Sequence, residues 1–261
     1  MLIATWNVNS IRSRLTHVQD WLQQQQPDVL CLQETKVVDS DFPVATFAPL
    51  GYYCHIYGQK SYNGVAILTR DSGSNLGRGF GDPPWDEQKR LIHIDIQGLR
   101  IVNVYVPNGS EVGSDKYAYK LAWLQHLHAY LHPLMASPLL ICGDFNIGPD
   151  HRDLPDAKYT GQIMASEAER QALQNLISLG LHDAFRHFTP EPGHYSWWDY
   201  RAASFRRNHG WRIDHIYLND LALPWAKRCW IDPAPRRLEK PSDHTPVIVE
   251  IGIPEGGSSP Q

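Results

Sequence analysis

The sequence predicts an α/β protein in which mixed β-sheets pack face to face with helices outside. Two patterns carry that expectation. Apolar runs of strand length recur along the chain, some as adjacent pairs that read as hairpins and others separated by amphipathic stretches that read as helical crossovers. Crossovers alone would give a doubly wound parallel sheet, whereas hairpins among them call for mixed sheets. A third observation is continuity. At 261 residues the chain can enclose one sizeable core, and no Gly/Ser/Pro-rich linker divides its interior. Residues 1–253 therefore read as one domain, and the Gly/Ser/Pro-rich segment 254–261 as a disordered tail.

Residues 2–8 and 28–34 read as strands enclosing a helix near 14–26, with Leu15, Val18 and Leu22 as its apolar stripe and Pro27 after its end. Strands follow at about 52–58, 64–70, 91–96 and 99–106. The stretch 71–90, with Gly73, Gly77, Gly79, Gly81, Pro83 and Pro84, reads as loop. A second helix is expected over about 115–131, with Leu121, Leu124, Leu127 and Leu131 on one face, and then a strand over 139–145. After a Pro/Asp-rich loop, a third helix spans about 167–179 with Leu173, Leu176 and Ile177 inward. Strands at 211–218 and 245–251 close the fold.

With 42% hydrophobic and 20% charged residues, the composition is that of a soluble globular protein. Cys31, Cys54, Cys142 and Cys229 are widely spaced, without a C-x-x-C pair, and three lie in apolar runs. They read as reduced thiols of a cytoplasmic protein, not as a disulfide framework or zinc site. Neither a basic-then-apolar leader nor an eighteen-residue apolar run is seen, so no secretion signal or membrane span is expected. A net charge of −4 does not advertise a nucleic-acid binder, although carboxylates clustered around a divalent metal would depress the total.

Four apolar strands end alike. Ile3 to Trp6 leads to Asn7, and Val29 to Leu32 leads to Gln33 and Glu34. Ile101 to Val104 leads to Tyr105 with Asn108 beyond, and Leu139 to Cys142 breaks at Gly143 and delivers Asp144 and Asn146. Side chains two apart in an extended segment share a side, so Asp144 and Asn146 can address one atom. Asp214, inside an otherwise apolar strand, needs a partner, because an unpaired buried charge is costly. His244, in Ser242-Asp243-His244 before the last strand, is the partner expected, oriented by the carboxylate. Each residue taken singly also fits a capped turn or a salt-bridged strand. Taken together they suit phosphodiester hydrolysis. Glu34 supplies a hard oxygen for Mg²⁺ or Mn²⁺, and Asp144 with Asn146 orients a water. His244, Asn7 and Tyr105 donate to phosphoryl oxygens. No Ser or Cys nucleophile and no phosphate-cradling Gly loop competes with this reading. His128 and His132, four apart on a helix with no third ligand near, read as surface histidines.

Seven blocks in this order, Trp-Asn-Val-Asn (6–9), Leu-Gln-Glu-Thr-Lys (32–36), Asn-Gly-Val-Ala-Ile (63–67), Tyr-Val-Pro-Asn-Gly (105–109), Gly-Asp-Phe-Asn-Ile (143–147), Trp-Arg-Ile-Asp-His (211–215) and Pro-Ser-Asp-His (241–244), resemble the exonuclease III family of abasic-site endonucleases, within the endonuclease/exonuclease/phosphatase superfamily. The resemblance covers residues 1–252. It implies a four-layered α/β sandwich and Mg²⁺-dependent hydrolysis (Mn²⁺ substituting) 5′ to abasic sites in double-stranded DNA. Trimming of 3′-blocked ends, no membrane partner and a monomer are implied with it. Glu34 would be the principal metal ligand, within a metal-site set of Asn7, Glu34, Asp144, Asn146, Asp243 and His244, with Asn9 near. Asp144 would orient or deprotonate the water with Asn146 in support. Tyr105, Asn108 and His244 would contact the phosphate, and Asp214 would hold His244.

Residues 195–201 and Gly210-Trp211 resemble the family's DNA-binding segments. Trp197 and Trp211 would wall a pocket for a flipped-out, base-less sugar, and Arg201, Arg206, Arg207, His209 and Arg212 would meet backbone phosphates, as would Asn9 and Lys36. Tryptophan pairs also pack cores, and Arg-rich loops are also simply solvated. Trp211 stands where bacterial relatives often carry Leu, and loop 148–166 matches the family only loosely. A general nuclease, a small-molecule phosphodiesterase of the superfamily and a non-catalytic DNA-binding protein are the alternatives. The first predicts a leader and disulfides, the second membrane-binding insertions, and the third tolerates loss of Glu34, Asp144 or His244.

Overall fold

The structure, a computed structural model, describes residues 1–254. Its strands are β1 (Leu2–Asn7), β2 (Val29–Gln33), β3 (Tyr53–Tyr57), β4 (Val65–Thr69), β5 (Ser74–Arg78), β6 (Leu91–Ile96), β7 (Leu99–Tyr105), β8 (Leu139–Asp144), β9 (Leu181–Asp183), β10 (Asp214–Asn219), β11 (Ala226–Ile231) and β12 (Val247–Ile251). The α-helices are α1 (Leu15–Gln25), α2 (Val44–Phe47), α3 (Pro83–Asp86), α4 (Asp115–Leu131), α5 (Glu167–Ile177) and α6 (Ala184–Phe188).

One sheet runs β11-β12-β1-β2-β4-β3 and the other β5-β6-β7-β8-β10-β9. Each has a parallel pair at its centre, β1/β2 and β7/β8, joined by a helical crossover through α1 and α4 respectively. The flanking pairs are antiparallel.

Strand alternation sorts the side chains into layers. Ile3, Val29, Cys31, Val65 and Ile67 of one sheet face Ile92, Ile101, Leu140, Cys142 and Ile216 of the other. The opposite face of the first sheet, with Ala4, Trp6, Leu30 and Leu32, buries Val18, Trp21 and Leu22 of α1. That of the second, with Val102, Val104 and Ile141, buries Trp123, Leu124 and Leu127 of α4 and Leu173 and Leu176 of α5. Helices, sheet, sheet and helices make the four-layered sandwich that was expected.

Within the apolar interior one polar joint fastens the sheets near the ends of their central strands. Gln33 Nε2 donates to Asn103 Oδ1 (2.7 Å) and to Thr5 Oγ1 (2.9 Å), and Asn103 Nδ2 donates to the Leu32 and Ala66 carbonyls. All three side chains are fully buried, so each bond replaces one that water would have made.

The sequence reading differs from the structure in several elements. Residues 71–90 are not all loop, since β5 and the short α3 lie within them. β9, α6 and β11 were not expected. The strand expected over 211–218 begins only at Asp214, while Trp211 makes an isolated bridge with Trp197. Of the disordered tail expected over 254–261, all but Pro254 lies outside the described residues. The four cysteines are free, and Cys54 alone is half-buried. No helix among the described residues is long and apolar enough to cross a membrane.

Candidate active site

The C-terminal ends of β1, β2, β7 and β8 meet the starts of β10 and β12 at one edge of the sandwich. Register brings Asp144 opposite both Tyr105 and Asp214. Gly143 permits this closeness. Its φ is +145°, and a Cβ there would lie 1.9 Å from the Val104 carbonyl oxygen. Beyond it Asn146 turns left-handed (φ +51°) with its N–H on Asp144 Oδ1 (2.9 Å). Glu34, Asn9 and Lys36 are left-handed as well. Such backbone persists in non-glycine residues only where surroundings enforce it, and it clusters at functional sites.

Asn7, Asn9, Glu34, Lys36, Tyr105, Asn108, Asp144, Asn146, Asp214, Asp243 and His244 come together at this edge. Asn7 Nδ2 donates to Glu34 Oε1 and to Asp144 Oδ2, both at 2.9 Å. Both amide hydrogens are thereby used, so in this structure Asn7 braces two carboxylates, whereas the sequence reading makes it a donor to a phosphoryl oxygen. Lys36 Nζ lies 2.9 Å from Glu34 Oε2 and donates to Asn9 Oδ1. Asn9 Nδ2 and Trp197 Nε1 each donate to Asp243 (3.0 and 2.9 Å). Asn108 Nδ2 donates to Asn146 Oδ1 (3.1 Å).

His244 sits between two carboxylates. Its Nδ1 is 2.8 Å from Asp214 Oδ2, and its Nε2 is 3.7 Å from Asp144 Oδ2. Burial alone would lower the His244 pKa, but Asp214 and Asp144 outweigh it and push it up to about 10. Burial, with the Asp214 and Glu34 charges, raises Asp144 to about 7 against the pull of His244 and Asn7. Burial would raise Glu34 too, yet Lys36 and Asn7 hold it below its ordinary value. Burial and the Glu34 charge push the Tyr105 phenol well above its own, which keeps it a hydroxyl donor.

A cavity of about 470 Å³ opens beside this cluster. Trp197 and Trp211 line it with Tyr159, Ile163, Met164 and His209. Trp197 is half-buried. Trp211 is 7% exposed and packs with Leu154, Met164 and Ile213, so its ring serves the core as well as the cavity. Arg206 and Arg207 are exposed. Arg201 also lines the cavity, but its guanidinium is engaged by Asp199 (2.6 Å). Arg212 corrects the sequence reading. It is fully buried, paired with Asp153 and Asp183 at 2.7 Å each, and cannot meet a DNA phosphate.

The sequence reading also missed Arg90, which donates to the Tyr105 carbonyl (3.0 Å) and stacks on its ring. It missed Lys120 and Glu169, both fully buried, behind Asn108 and Asn146. A cationic residue in an otherwise apolar helix face was the available signal for Lys120.

The donor set fits a hard divalent cation. Glu34, Asp144 and His244 bring ligand atoms within 4.8 Å of one another, the one such His/Cys/Asp/Glu group found among the described residues. His128 and His132 are not part of it. Carboxylate and amide oxygens dominate the surroundings, the ligand chemistry that a hard divalent cation prefers.

Comparison with known proteins agrees with this geometry. The endonuclease/exonuclease/phosphatase family model matches residues 4–244. Exodeoxyribonuclease III of Haemophilus influenzae is 35% identical, over 96% of this chain and 100% of the relative. DNA repair nuclease APEX1 of Danio rerio is 31% identical, over 97% and 83%. The 3′ phosphatase NExo from Neisseria, solved with a product DNA hairpin, superposes with a TM-score of 0.94 at 41% identity, covering 97% of this chain and 100% of that one. An AP endonuclease from Archaeoglobus fulgidus gives 0.93 at 37%, over 97% and 100%. With the strand-end carboxylates, the His244–Asp214 pair and the matched residues spanning nearly the whole chain, the protein belongs to the exonuclease III family of AP endonucleases, hydrolases of the endonuclease/exonuclease/phosphatase superfamily.

Proposed function

We propose that this protein is a metal-dependent DNA-repair phosphodiesterase that cuts the backbone 5′ to abasic sites and removes 3′-blocking groups, with residues 1–253 as its catalytic domain. The observation that carries this reading is the line Asp144–His244–Asp214, an acceptor facing a cation that is itself held by a second carboxylate. Glu34 with Asp144, braced by Asn7, would hold Mg²⁺ or Mn²⁺, with Asn9 and Asp243 nearby. Such an ion supplies Lewis-acid polarisation of the phosphoryl oxygen.

The chain's own groups supply the rest. Asp144, held by Asn7 Nδ2 and the Asn146 N–H at 2.9 Å each, accepts the proton of an attacking water, which Asn146 helps hold in place. His244 stays protonated through the neutral range and faces the charge that builds on the phosphoryl oxygens. Tyr105 and the free amide hydrogen of Asn108 are further donors at the same edge. The tryptophan-lined cavity takes the extruded sugar, whose apolar face suits the rings. Arg206 and Arg207 meet backbone phosphates on a substrate of double-stranded DNA. The protein acts as a cytoplasmic monomer in this reading.

A second weighting, 3′-end removal with little abasic incision, is favoured by the greater identity to NExo, named a 3′ phosphatase and 3′-5′ exonuclease (41–42%), than to the archaeal AP endonuclease (37%). One assay tests both. Duplexes carrying an abasic site, a 3′-phosphate or no lesion are incubated with Mg²⁺ or with EDTA. The proposal expects cleavage of the first two with Mg²⁺ only. Cleavage of the 3′-phosphate alone moves the weight to the second reading. Full activity in EDTA, or no cleavage of any duplex with Mg²⁺ or Mn²⁺, overturns the proposal.

A further inference from the structure

We propose that Lys120 and Glu169 are a positioning pair, which locks the phosphate-facing asparagines and the wall of the cavity into one piece. The inference rests on the functional reading above and extends it to residues that touch neither phosphate nor cation.

All three ammonium hydrogens of Lys120 are committed, to the carbonyls of Asn146 (2.7 Å) and Asn108 (3.1 Å) and to Glu169 Oε1 (2.5 Å). Glu169 Oε1 also accepts from the Met164 N–H (3.0 Å), and its Oε2 accepts from the N–H and Oγ of Ser166 (3.1 and 2.6 Å). Tyr117 OH lies 2.6 Å from Ser166 Oγ. One buried pair therefore gathers the turn after β7, the turn after β8, both helix starts and the loop that lines the cavity at Met164.

A role in stability alone is a poor explanation. Replacing a buried ion pair with well-packed apolar groups is often neutral or stabilising, so the pair is not the cheapest way to hold α4 on α5. What apolar groups cannot do is fix carbonyls. Asn146 (φ +51°) and Met164 (φ +68°) hold left-handed backbone that needs such enforcement. The turn after Asn108 is also shaped for the lysine. A Cβ on Gly109 would lie 3.1 Å from both Lys120 Cδ and Ile163 Cδ1. From Asn108 the chain of bonds runs through Asn146 to Asp144. Small shifts of such a frame are costly, because near-attack geometry tolerates little error.

The test uses the full chain with Lys120→Met and the isosteric Glu169→Gln, assayed with Mg²⁺ on 3′-phosphate and abasic duplexes. Melting curves and hydrogen exchange accompany the kinetics. For Lys120→Met, kcat should fall by roughly tenfold or more on the substrates that the wild type cleaves, with KM changed by less than about threefold. Exchange should quicken in residues 105–110, 144–148 and 161–165 and stay unchanged in β1 and β2. Glu169→Gln should show the same pattern to a lesser degree, and it carries the test if Lys120→Met does not fold. A folded variant with kcat within about twofold of wild type overturns the proposal whatever its melting point. Lowered kcat with unchanged exchange in those segments overturns it too. If the wild type cleaves none of the substrates, it is the functional reading that falls, and the exchange pattern alone decides the positioning role.

Discussion

At the strand-end half of the cleft, Asp144, Asp214 and His244 are each under 5% exposed and bonded to one another or to neighbours across the sheets. Across from it, in the loop that carries Trp197 and Trp211, Arg206 and Arg207 are exposed and the Arg201 guanidinium bonds only to Asp199 two residues away. The difference follows from what each half must do. Proton transfer needs groups fixed within a fraction of an ångström, and paired strands give that. Gripping a polyanion needs charge at moderate distance, and an exposed loop is enough. Substitutions in the two halves should therefore fail in different ways.

The largest effects belong to the strand ends. Asp144→Asn and His244→Ala should each lower kcat by about 10² or more while DNA affinity survives, as single-turnover rates and equilibrium binding will show. A near wild-type rate in either variant removes that residue from the chemistry. Glu34→Gln should lower the rate and raise the Mg²⁺ concentration needed for half-maximal activity, read from a metal titration.

Asp144 also couples folding to pH. Its folded pKa of about 7 lies above the ordinary 3.8, chiefly through burial. A carboxyl raised in this way contributes stability fully below about pH 4, and that contribution is lost as pH rises through about 7. Without metal, wild type should therefore lose melting temperature relative to Asp144→Asn between pH 4 and 7. Parallel melting curves for the two proteins would contradict this environment for Asp144.

Smallest are the loop charges. Arg206→Ala and Arg207→Ala should weaken all duplex substrates alike, each reducing the slope of log affinity against log salt by about 1. A loss confined to one substrate would mean the arginine reads the lesion.

The contrast also explains what was legible in the sequence. The strand-end residues were, because a polar residue closing an apolar run stands out: Glu34 after Val29–Gln33, and Asp144 after Gly143. Position in the run told where each side chain would gather, and Asp214 could be matched with His244 by chemistry alone. Bonds between distant residues were not legible. Lys120 sits among leucines and aromatics, and nothing local says that Glu169 answers it. Arg212 looked like one more loop cation, since its partners Asp153 and Asp183 lie 59 and 29 residues away. The missed strands share a cause. β5 is an edge strand, Ser-Asn-Leu-Gly-Arg, four of its five residues exposed. β11 is an edge strand too, with Lys227 and Arg228 outward. Edge strands carry little of the apolar alternation by which central ones are recognised.

The division of labour is tested most directly by the ratio of abasic incision to 3′-phosphate removal, measured for Asp144→Asn and Trp211→Ala beside their melting curves. Asp144→Asn should depress both activities by the same large factor and leave the ratio unchanged. Trp211→Ala should lose apolar contact made only after the sugar has been extruded, so abasic incision should fall about tenfold more than 3′-phosphate removal. Because Trp211 is also 7% exposed among core residues, its melting point should drop as well. A lowered melting point with an unchanged ratio would make Trp211 a packing residue only and contradict the separation of chemistry from recognition.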